Sequence, residues 1–368
     1  MAGPERNTLI TDGEGPLVFK DIARDISRKL AIEKDGQRLD GQQFFDILSM
    51  FNAFIHETGI RPTQPGDTLA FLVPHLLARG ITDEDLSKET LNTQLANGVE
   101  AYLSQLREDG WRIRIISSAY NALWDTLGPR LGFKIDEIAA TNVDLESLRE
   151  SMPRGYDELI KQAEEFLLSR SEQIESAQQA FRNGMPLEDI FESCEGMIEI
   201  ADVLDNLYFR DLPCLGFNPL EATEVIGGSR KVEALMRFAR DLEIDPGDLV
   251  YVGDSITDDA VNKFLRDIGG LPIAINGDHY ALRNARIAVA TTDMRRLRSL
   301  LDAFSVGGLE GALSFASSAT LSVGKERPVV VETETRIHIM EQGQDLLEVI
   351  NVHREFRNRI RGASTSLI

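Results

Sequence analysis

Short runs of β-branched and apolar residues recur along this chain, and helical periodicity fills the intervals between them. The predicted strands are residues 7–11, 111–116, 249–252, 272–275 and 287–290. A helix is predicted over residues 231–242, and the order strand, helix, strand is typical of a parallel sheet with helices on both faces. The sequence therefore predicts an α/β fold built on a doubly wound parallel sheet.

Two long stretches without a predicted strand interrupt this alternation. Residues 21–110 carry the periodicity of four or five helices, and residues 148–212 combine an amphipathic pattern with salt-pair spacings. We predict a helical insertion at each place. Residues 303–368 contain small-residue helical stretches and a tail helix, DLLEVINVHREFRNRIRG, and we predict a C-terminal helical extension there.

Charge and hydropathy limit the partners of this chain. Its formal net charge of -21 argues against nucleic acid and against an anionic membrane surface, because either partner requires a broad basic surface. No segment reads as a membrane span, and no signal-peptide core precedes the first predicted strand, so a cytoplasmic location is expected. A small phosphorylated metabolite remains compatible, because it needs only a local cluster of amides, cations and a metal. The sequence does not indicate the oligomeric state.

Polar residues follow the predicted strands at the points where these end. Asp12, Ser117 and Asp254 each come directly or almost directly after an apolar run, and Asp258 lies four residues beyond Asp254. In an open α/β sheet the carboxyl ends of the strands border the ligand crevice. Carboxylates that converge there repel one another unless a cation is present, and their hard oxygen atoms suit Mg²⁺.

These residues resemble the motifs of the haloacid dehalogenase (HAD) superfamily in order and spacing. The four motifs are Asp12-Gly13-Glu14-Gly15-Pro16, Ser117, Lys231, and Gly253-Asp254 with Asp258. The resemblance implies a Rossmann-like core of residues 1–20, 111–147 and 213–302. It implies that residues 21–110 form a cap and that 148–212 form a second helical insertion. The loop DGEGPL and the long helical insertion are also similar to archaeal proteins labelled energy-converting hydrogenase A subunit R.

The resemblance further implies a Mg²⁺-dependent phosphatase that forms an aspartyl-phosphate. Asp12 would be the nucleophile, and splitting one displacement into two makes each step easier. Lys231 and Mg²⁺ would neutralise the transferring group, and the Ser117 hydroxyl would bind its oxygen atoms. Ser118 is the alternative to Ser117 as a phosphate contact, and Arg230 is the alternative to Lys231.

The metal ligands implied by the resemblance are Asp12, Asp254 and Asp258, together with the backbone carbonyl of Glu14. Glu14 is also the expected general acid and base. It departs from the family pattern, in which aspartate usually occupies this position, and its side chain reaches about one methylene farther. Pro16 is a second departure, since threonine is common there and proline lacks both the hydroxyl and the backbone donor.

A second functional class is compatible with these departures. A HAD-fold regulatory or complex subunit would bind metal or phosphate with little turnover, and Glu14, Pro16 and the extra helices favour it. The acidic and basic residues Asp12, Lys231, Asp254 and Asp258 favour the phosphatase. A purely structural scaffold ranks last, because it leaves that set unexplained.

Overall fold

One large, mostly parallel sheet organises the molecule. The structure, a computed structural model, describes residues 6–91, 93–323, 335–340 and 346–361. Its strands are β1 (Thr8–Thr11), β2 (Ile32–Lys34), β3 (Gln37–Leu39), β4 (Arg112–Tyr120), β5 (Ile138–Thr141), β6 (Val250–Gly253), β7 (Leu271–Ile275), β8 (Ile287–Thr291) and β9 (Thr335–Ile339). Seven of them form one sheet in the order β5-β4-β1-β6-β7-β8-β9, and β2 pairs with β3 in a separate hairpin. Neighbours in the large sheet are parallel except for β8 and β9, which are antiparallel.

Helices occupy the intervals between the strands. They are α1 (Ile22–Ile26), α2 (Gly41–Glu57), α3 (Thr68–Ala78), α4 (Asp83–Thr90), α5 (Val99–Glu108), α6 (Asn121–Arg130), α7 (Leu145–Ser151), α8 (Tyr156–Ser169), α9 (Ser171–Arg182), α10 (Leu187–Ser193), α11 (Met197–Asn206), α12 (Leu212–Leu215), α13 (Pro219–Ala222), α14 (Ser229–Asp241), α15 (Asp259–Ile268), α16 (His279–Asn284), α17 (Arg298–Val323) and α18 (Leu347–Arg361). Short 3-10 turns and a π-helical turn link several of them.

The sheet is covered on both faces. Strands β1, β6, β7 and β8 are buried along their whole length, as expected of a parallel sheet between two helical layers. Leu9 packs into a hydrophobic core that includes α5, α6 and α17, whereas the next residue, Ile10, packs with α14 and α15. Successive strand residues point to opposite faces, so both layers are established within β1. The predicted α/β class with a doubly wound parallel sheet and helical insertions is confirmed.

The helices inserted before β4 and after β5 share one hydrophobic core. Helices α2 and α3 pack there with α8 to α12. The rings of Phe71 and Tyr208 stack with centroids 4.5 Å apart. Between them and α8 lies a buried polar chain, in which His75 Nδ1 is 2.9 Å from Glu164 Oε1 and His75 Nε2 is 2.8 Å from the Tyr208 hydroxyl. The two helical segments are therefore one packing unit, although strands β4 and β5 separate them in the sequence.

Residues 21–110 differ in two ways from the purely helical expectation. They contain the β2–β3 hairpin, whose two-residue turn is Asp35-Gly36 with φ of 52° and 80°. An Asp-Gly pair between extended residues is a strong signal for this type of turn, and helical periodicity concealed it. Helix α5 also lies in this range, but it packs on the sheet through Tyr102 and Leu103 rather than with α2 and α3.

Three features of the sheet were not predicted. Strand β4 continues to Tyr120, four residues beyond the predicted end at Ile116, and the short strands β5 and β9 extend the sheet at its two edges. The predicted tail helix is present as α18, where Val349 packs in a hydrophobic cluster with residues of α16 and β8. No helix in the described part of the chain is long and apolar enough to cross a membrane.

Candidate active site

Asp12 is fixed at the end of the central strand β1. Its backbone N–H donates to Val252 O at 2.7 Å, which continues the ladder between β1 and β6. Gly13 N donates to Asp12 Oδ1 at 2.6 Å. A Cβ atom on Gly13 would lie 1.9 Å from Cζ2 of Trp124, so glycine is required for this close turn. The turn presents the Asp12 carboxylate at the carboxyl edge of the sheet.

Asp258 is held next to Asp12 by five hydrogen bonds, the longest of them from Ser255 Oγ at 3.5 Å. Its Oδ2 accepts from the backbone N–H groups of Asp254 at 2.8 Å and Ser255 at 3.0 Å. Its Oδ1 accepts from Lys231 Nζ at 2.7 Å and from the Tyr251 hydroxyl at 2.6 Å. A carboxylate offers about four lone-pair positions, so protein donors already occupy those of Asp258.

Lys231 joins the two carboxylates from the first turn of α14. Its ammonium donates to Asp12 Oδ2 and to Asp258 Oδ1, both at 2.7 Å, and its side chain is fully buried. Burial alone lowers the pKa of a lysine, but the charges of Asp12 and Asp258 outweigh it and raise the pKa of Lys231 above its usual value. Lys231 is therefore a fixed positive charge at this site.

Negative charge exceeds positive charge in this cluster. Asp12, Asp254 and Asp258 each place a carboxylate oxygen within 4.8 Å of the other two, and all three residues are buried. Burial raises the pKa of Asp12, and the neighbouring charges of Asp258 and Asp254 raise it further against the opposing effect of Lys231. A divalent cation would relieve this repulsion, and all-oxygen ligands suit Mg²⁺. Because Asp258 is saturated with hydrogen bonds, Asp12 and Asp254 fit direct coordination better than Asp258 does.

The other predicted site residues take different positions. Glu14 lines the cavity described below, and its Oε1 accepts from the N–H of Ile22, the first residue of α1, at 2.9 Å. Ser118 lines the same cavity and donates from Oγ to Ile226 O at 2.8 Å. Ser117 is fully buried, its Oγ accepts from Ala119 N at 3.2 Å, and it does not line the cavity. Of these two serines, Ser118 is the one that lines the cavity.

Three further charged residues near these motifs are engaged elsewhere. Arg230 donates to Asp67 Oδ1 at 2.6 Å, so its charge is paired on the side of the inserted helices rather than at Asp12. Asp259 forms an ion pair with Arg283. Asp278 accepts from Ala281 N at 2.8 Å and from Ile256 N at 3.1 Å, and thus caps α16.

A cavity lies between the carboxyl edge of the sheet and helices α2 and α3. About 760 Å³ of space not filled by atoms lies within it, and this figure includes open solvent. The sheet side contributes Asp12, Glu14, Ser118 and Asp254, and the helical side contributes polar residues that include Asn52. The carboxylates of the site therefore face a partly open space between the sheet and the inserted helices.

Arg357 is a cavity residue that the sequence did not indicate. It lies on α18, and its Nη1 donates to Asp254 O at 3.0 Å while Nη2 is 3.4 Å from Asp254 Oδ2. Tyr251 and Asn52 were also missed. Tyr251 reads as an ordinary strand residue and Asn52 as a helical one, so neither carries a local signal.

Comparisons with known proteins bear on the fold. No protein-family model matches the sequence, and no curated protein matches it. The structure of gene product AF1437 from Archaeoglobus fulgidus matches with a TM-score of 0.70 and 24% identity, covering 97% of each chain. Phosphoserine phosphatase in its apo form matches with a TM-score of 0.44 and 14% identity, covering 80% of this chain and 98% of the other. Beta-phosphoglucomutase from Clostridium difficile gives 0.34 and 12%, covering 84% and 99%.

The first of these likenesses extends over almost the whole of both chains. It shows that the chain shares its fold, including the inserted helices, with the Archaeoglobus fulgidus gene product. The predicted likeness to archaeal proteins labelled energy-converting hydrogenase A subunit R stays a prediction.

Proposed function

We propose that this protein is a Mg²⁺-dependent phosphohydrolase that transfers the phosphoryl group of a small ester to Asp12 and then to water. The observation that carries the proposal is the buried bridge from Asp12 through Lys231 to Asp258 at the edge of the cavity. Burying a lysine between two carboxylates carries a desolvation cost that apolar side chains in its place would avoid. The bridge therefore points to a function rather than to stability. Neutralising the negative charge of a phosphoryl group next to Asp12 is such a function.

The first chemical step forms a bond between Asp12 and phosphorus. An oxygen of the Asp12 carboxylate attacks the phosphorus atom, the ester P–O bond breaks, and the leaving alkoxide oxygen takes a proton from Glu14 to become the alcohol. The Lys231 ammonium stabilises the phosphoryl oxygen atoms, and the Ser118 hydroxyl is a further contact for them in the cavity. The Gly13 N–H holds the Asp12 carboxylate in place during the attack.

The second step returns the enzyme to its starting state. Glu14, now ionised, takes a proton from a water molecule, whose oxygen attacks the phosphorus and breaks its bond to Asp12. Asp12 and Asp254, with the Glu14 backbone carbonyl, would hold Mg²⁺. The bound cation would supply charge neutralisation for the phosphoryl oxygen atoms.

Phosphate release from a panel of small phosphate monoesters tests this proposal. We expect release that requires Mg²⁺ and that falls by several orders of magnitude in Asp12→Asn, a nearly isosteric change. Asp267→Asn, an exposed residue of α15, is the matched control and should retain the wild-type rate. Wild-type turnover in Asp12→Asn, or no turnover of any ester by the wild type, would contradict the proposal.

A further inference from the structure

The walls of the cavity carry polar side chains that phosphoryl transfer to Asp12 does not use. Its sheet side carries four carboxylates, those of Asp12, Glu14, Asp21 and Asp254. Arg357 is the only lysine or arginine among the described residues that line it. A substrate anion entering so acidic a space needs a cation on the wall, and a guanidinium binds carboxylate or phosphate oxygen atoms in a planar fork.

Helix α18 is firmly docked where Arg357 enters the cavity. One turn earlier on this helix, the ring of His353 is buried and its Nδ1 accepts from Gly277 N at 3.0 Å. The adjacent Phe356 is 3% exposed, and the Arg357 side chain is itself only 11% exposed. The arginine therefore lies on a stretch of helix whose neighbouring side chains, His353 and Phe356, are buried. Its guanidinium reaches Asp254 O as part of the docked helix rather than as a mobile surface group.

Asn52 lies on the opposite, helical wall of the cavity. Its side chain is 2% exposed, and its Oδ1 accepts from the Thr68 hydroxyl at 3.4 Å. Its Nδ2 is buried and has no hydrogen-bond partner among the residues that the structure describes. Leaving a buried amide donor without a partner destabilises the fold, so a donor in this state on a cavity wall points to a ligand that accepts from it.

We propose that Arg357 and Asn52 bind the leaving group of the substrate, and that this group carries a second anionic group besides the phosphoryl ester. The inference rests on the proposed function, because it assigns a substrate class to the same cavity. The second anion is a carboxylate or a second phosphate, since the oxygen atoms of both accept from a guanidinium and from an amide N–H. Arg357 supplies the charge, and Asn52 supplies the orienting hydrogen bond.

Binding to a form of the protein that cannot turn over tests this assignment separately from catalysis. The Asp12→Asn protein with Mg²⁺ is titrated calorimetrically with ethyl phosphate, with phosphoglycolate and with a short-chain bisphosphate. Phosphoglycolate and the bisphosphate each carry two anionic groups, whereas ethyl phosphate carries one. We expect one of these two doubly anionic probes to bind at least tenfold more tightly than ethyl phosphate. That preference should disappear when Arg357→Gln is added. Arg359→Gln, two residues away on α18 and paired with Glu355, is the matched control and should keep the preference.

Asn52 is tested by placing a negative charge at its position. Asn52→Asp is nearly isosteric but replaces the donor with a negative charge, so it should weaken binding of the doubly anionic probe more than binding of ethyl phosphate. Equal affinity for the three probes, or a preference that survives Arg357→Gln, overturns the inference even if the wild type hydrolyses esters. A preference lost in Arg357→Gln together with no hydrolysis by the wild type supports the binding assignment and contradicts the proposed function.

Discussion

The hydroxyl of Tyr251, inside the central sheet, donates a hydrogen bond to Asp258 Oδ1 at 2.6 Å. Both side chains are fully buried, and the same oxygen accepts from Lys231. Tyr251 therefore connects the hydrophobic layer beneath the sheet to the charged cluster at its edge. It belongs to the support of the site, since it contacts Asp258 rather than the cavity.

Tyr251→Phe removes this donor and leaves an acceptor position on a buried carboxylate unsatisfied. We expect the free energy of unfolding to fall by about 1–3 kcal/mol, measured by urea denaturation. Tyr102 offers a matched control, because its hydroxyl is also buried but has no hydrogen-bond partner within the described part of the chain. Tyr102→Phe should cost little or nothing. Equal losses in both variants would show that the bond to Asp258 contributes nothing specific.

Magnesium should stabilise the folded protein through Asp254. A ligand that binds only the native state contributes about 2.7 kcal/mol when its concentration is a hundred times its dissociation constant. We expect Mg²⁺ to raise the melting temperature of the wild type, and Asp254→Asn to lose most of that increase. Asp259→Asn changes a carboxylate that is paired with Arg283 instead, and it should keep the increase. The site would be ruled out by melting temperatures that Mg²⁺ leaves unchanged in all three proteins.

Glu14 separates a working phosphatase from a protein that only binds phosphate. Glu14→Gln keeps an acceptor for the N–H of Ile22 but removes the proton-transfer group, so we expect turnover to fall by about a hundredfold or more. Glu14→Asp should also lose activity, because its shorter side chain gives up the bond to Ile22. Steady-state hydrolysis under saturating Mg²⁺ measures both. Equal rates in the wild type and the two variants would contradict the general-acid assignment.

Acid should loosen the docking of α18 through His353. Burial, followed by the positive charges of His338 and Arg357, lowers the pKa of His353 from 6.5 to about 3. Below about pH 6.5 the unfolded chain binds a proton that the folded protein excludes. The stabilisation that comes from burying the neutral His353 ring is therefore complete above about pH 6.5, and it is lost as the pH falls towards 3.

His353→Asn tests this sign. Asparagine retains an acceptor for Gly277 N but does not titrate. Between pH 7 and pH 4 the urea midpoint of this variant should decline less steeply than that of the wild type, although the variant starts from a lower stability. Parallel declines in the two proteins would contradict the role of His353.

Four of the five strands that the sequence revealed are buried on both faces, and the fifth, β4, is buried only in part. Strands β1, β6, β7 and β8 are continuous apolar runs, which is the pattern expected for the centre of a parallel sheet. Strand β5 escaped prediction because its sequence, IAAT, is short and only alternately buried. Strand β9 is partly buried throughout and pairs antiparallel at the edge, so it lacks the apolar signal altogether.

The sequence was equally uneven in what it indicated about the site. Asp12, Lys231, Asp254 and Asp258 come together as their positions next to strands and at a helix start predicted, because strand order alone brings these ends to one edge. Arg357 depends on a docked tail helix that contacts a residue 103 positions earlier in the chain. No local pattern encodes such a contact, since the packing of α18 on the sheet decides it.

The common hydrophobic core of the inserted helices has a consequence for the nascent chain. Helices α2 and α3 leave the ribosome well before α8 to α12, and translation proceeds at about 5–20 residues per second. For several seconds Phe51 and Phe71 lack the ring of Tyr208, which both contact in the folded protein. We expect nascent chains arrested before residue 156 to be sensitive to protease and to bind chaperones. Chains extended beyond residue 215 should become protected in this region, because α2 and α3 then have α8 to α12 to pack against.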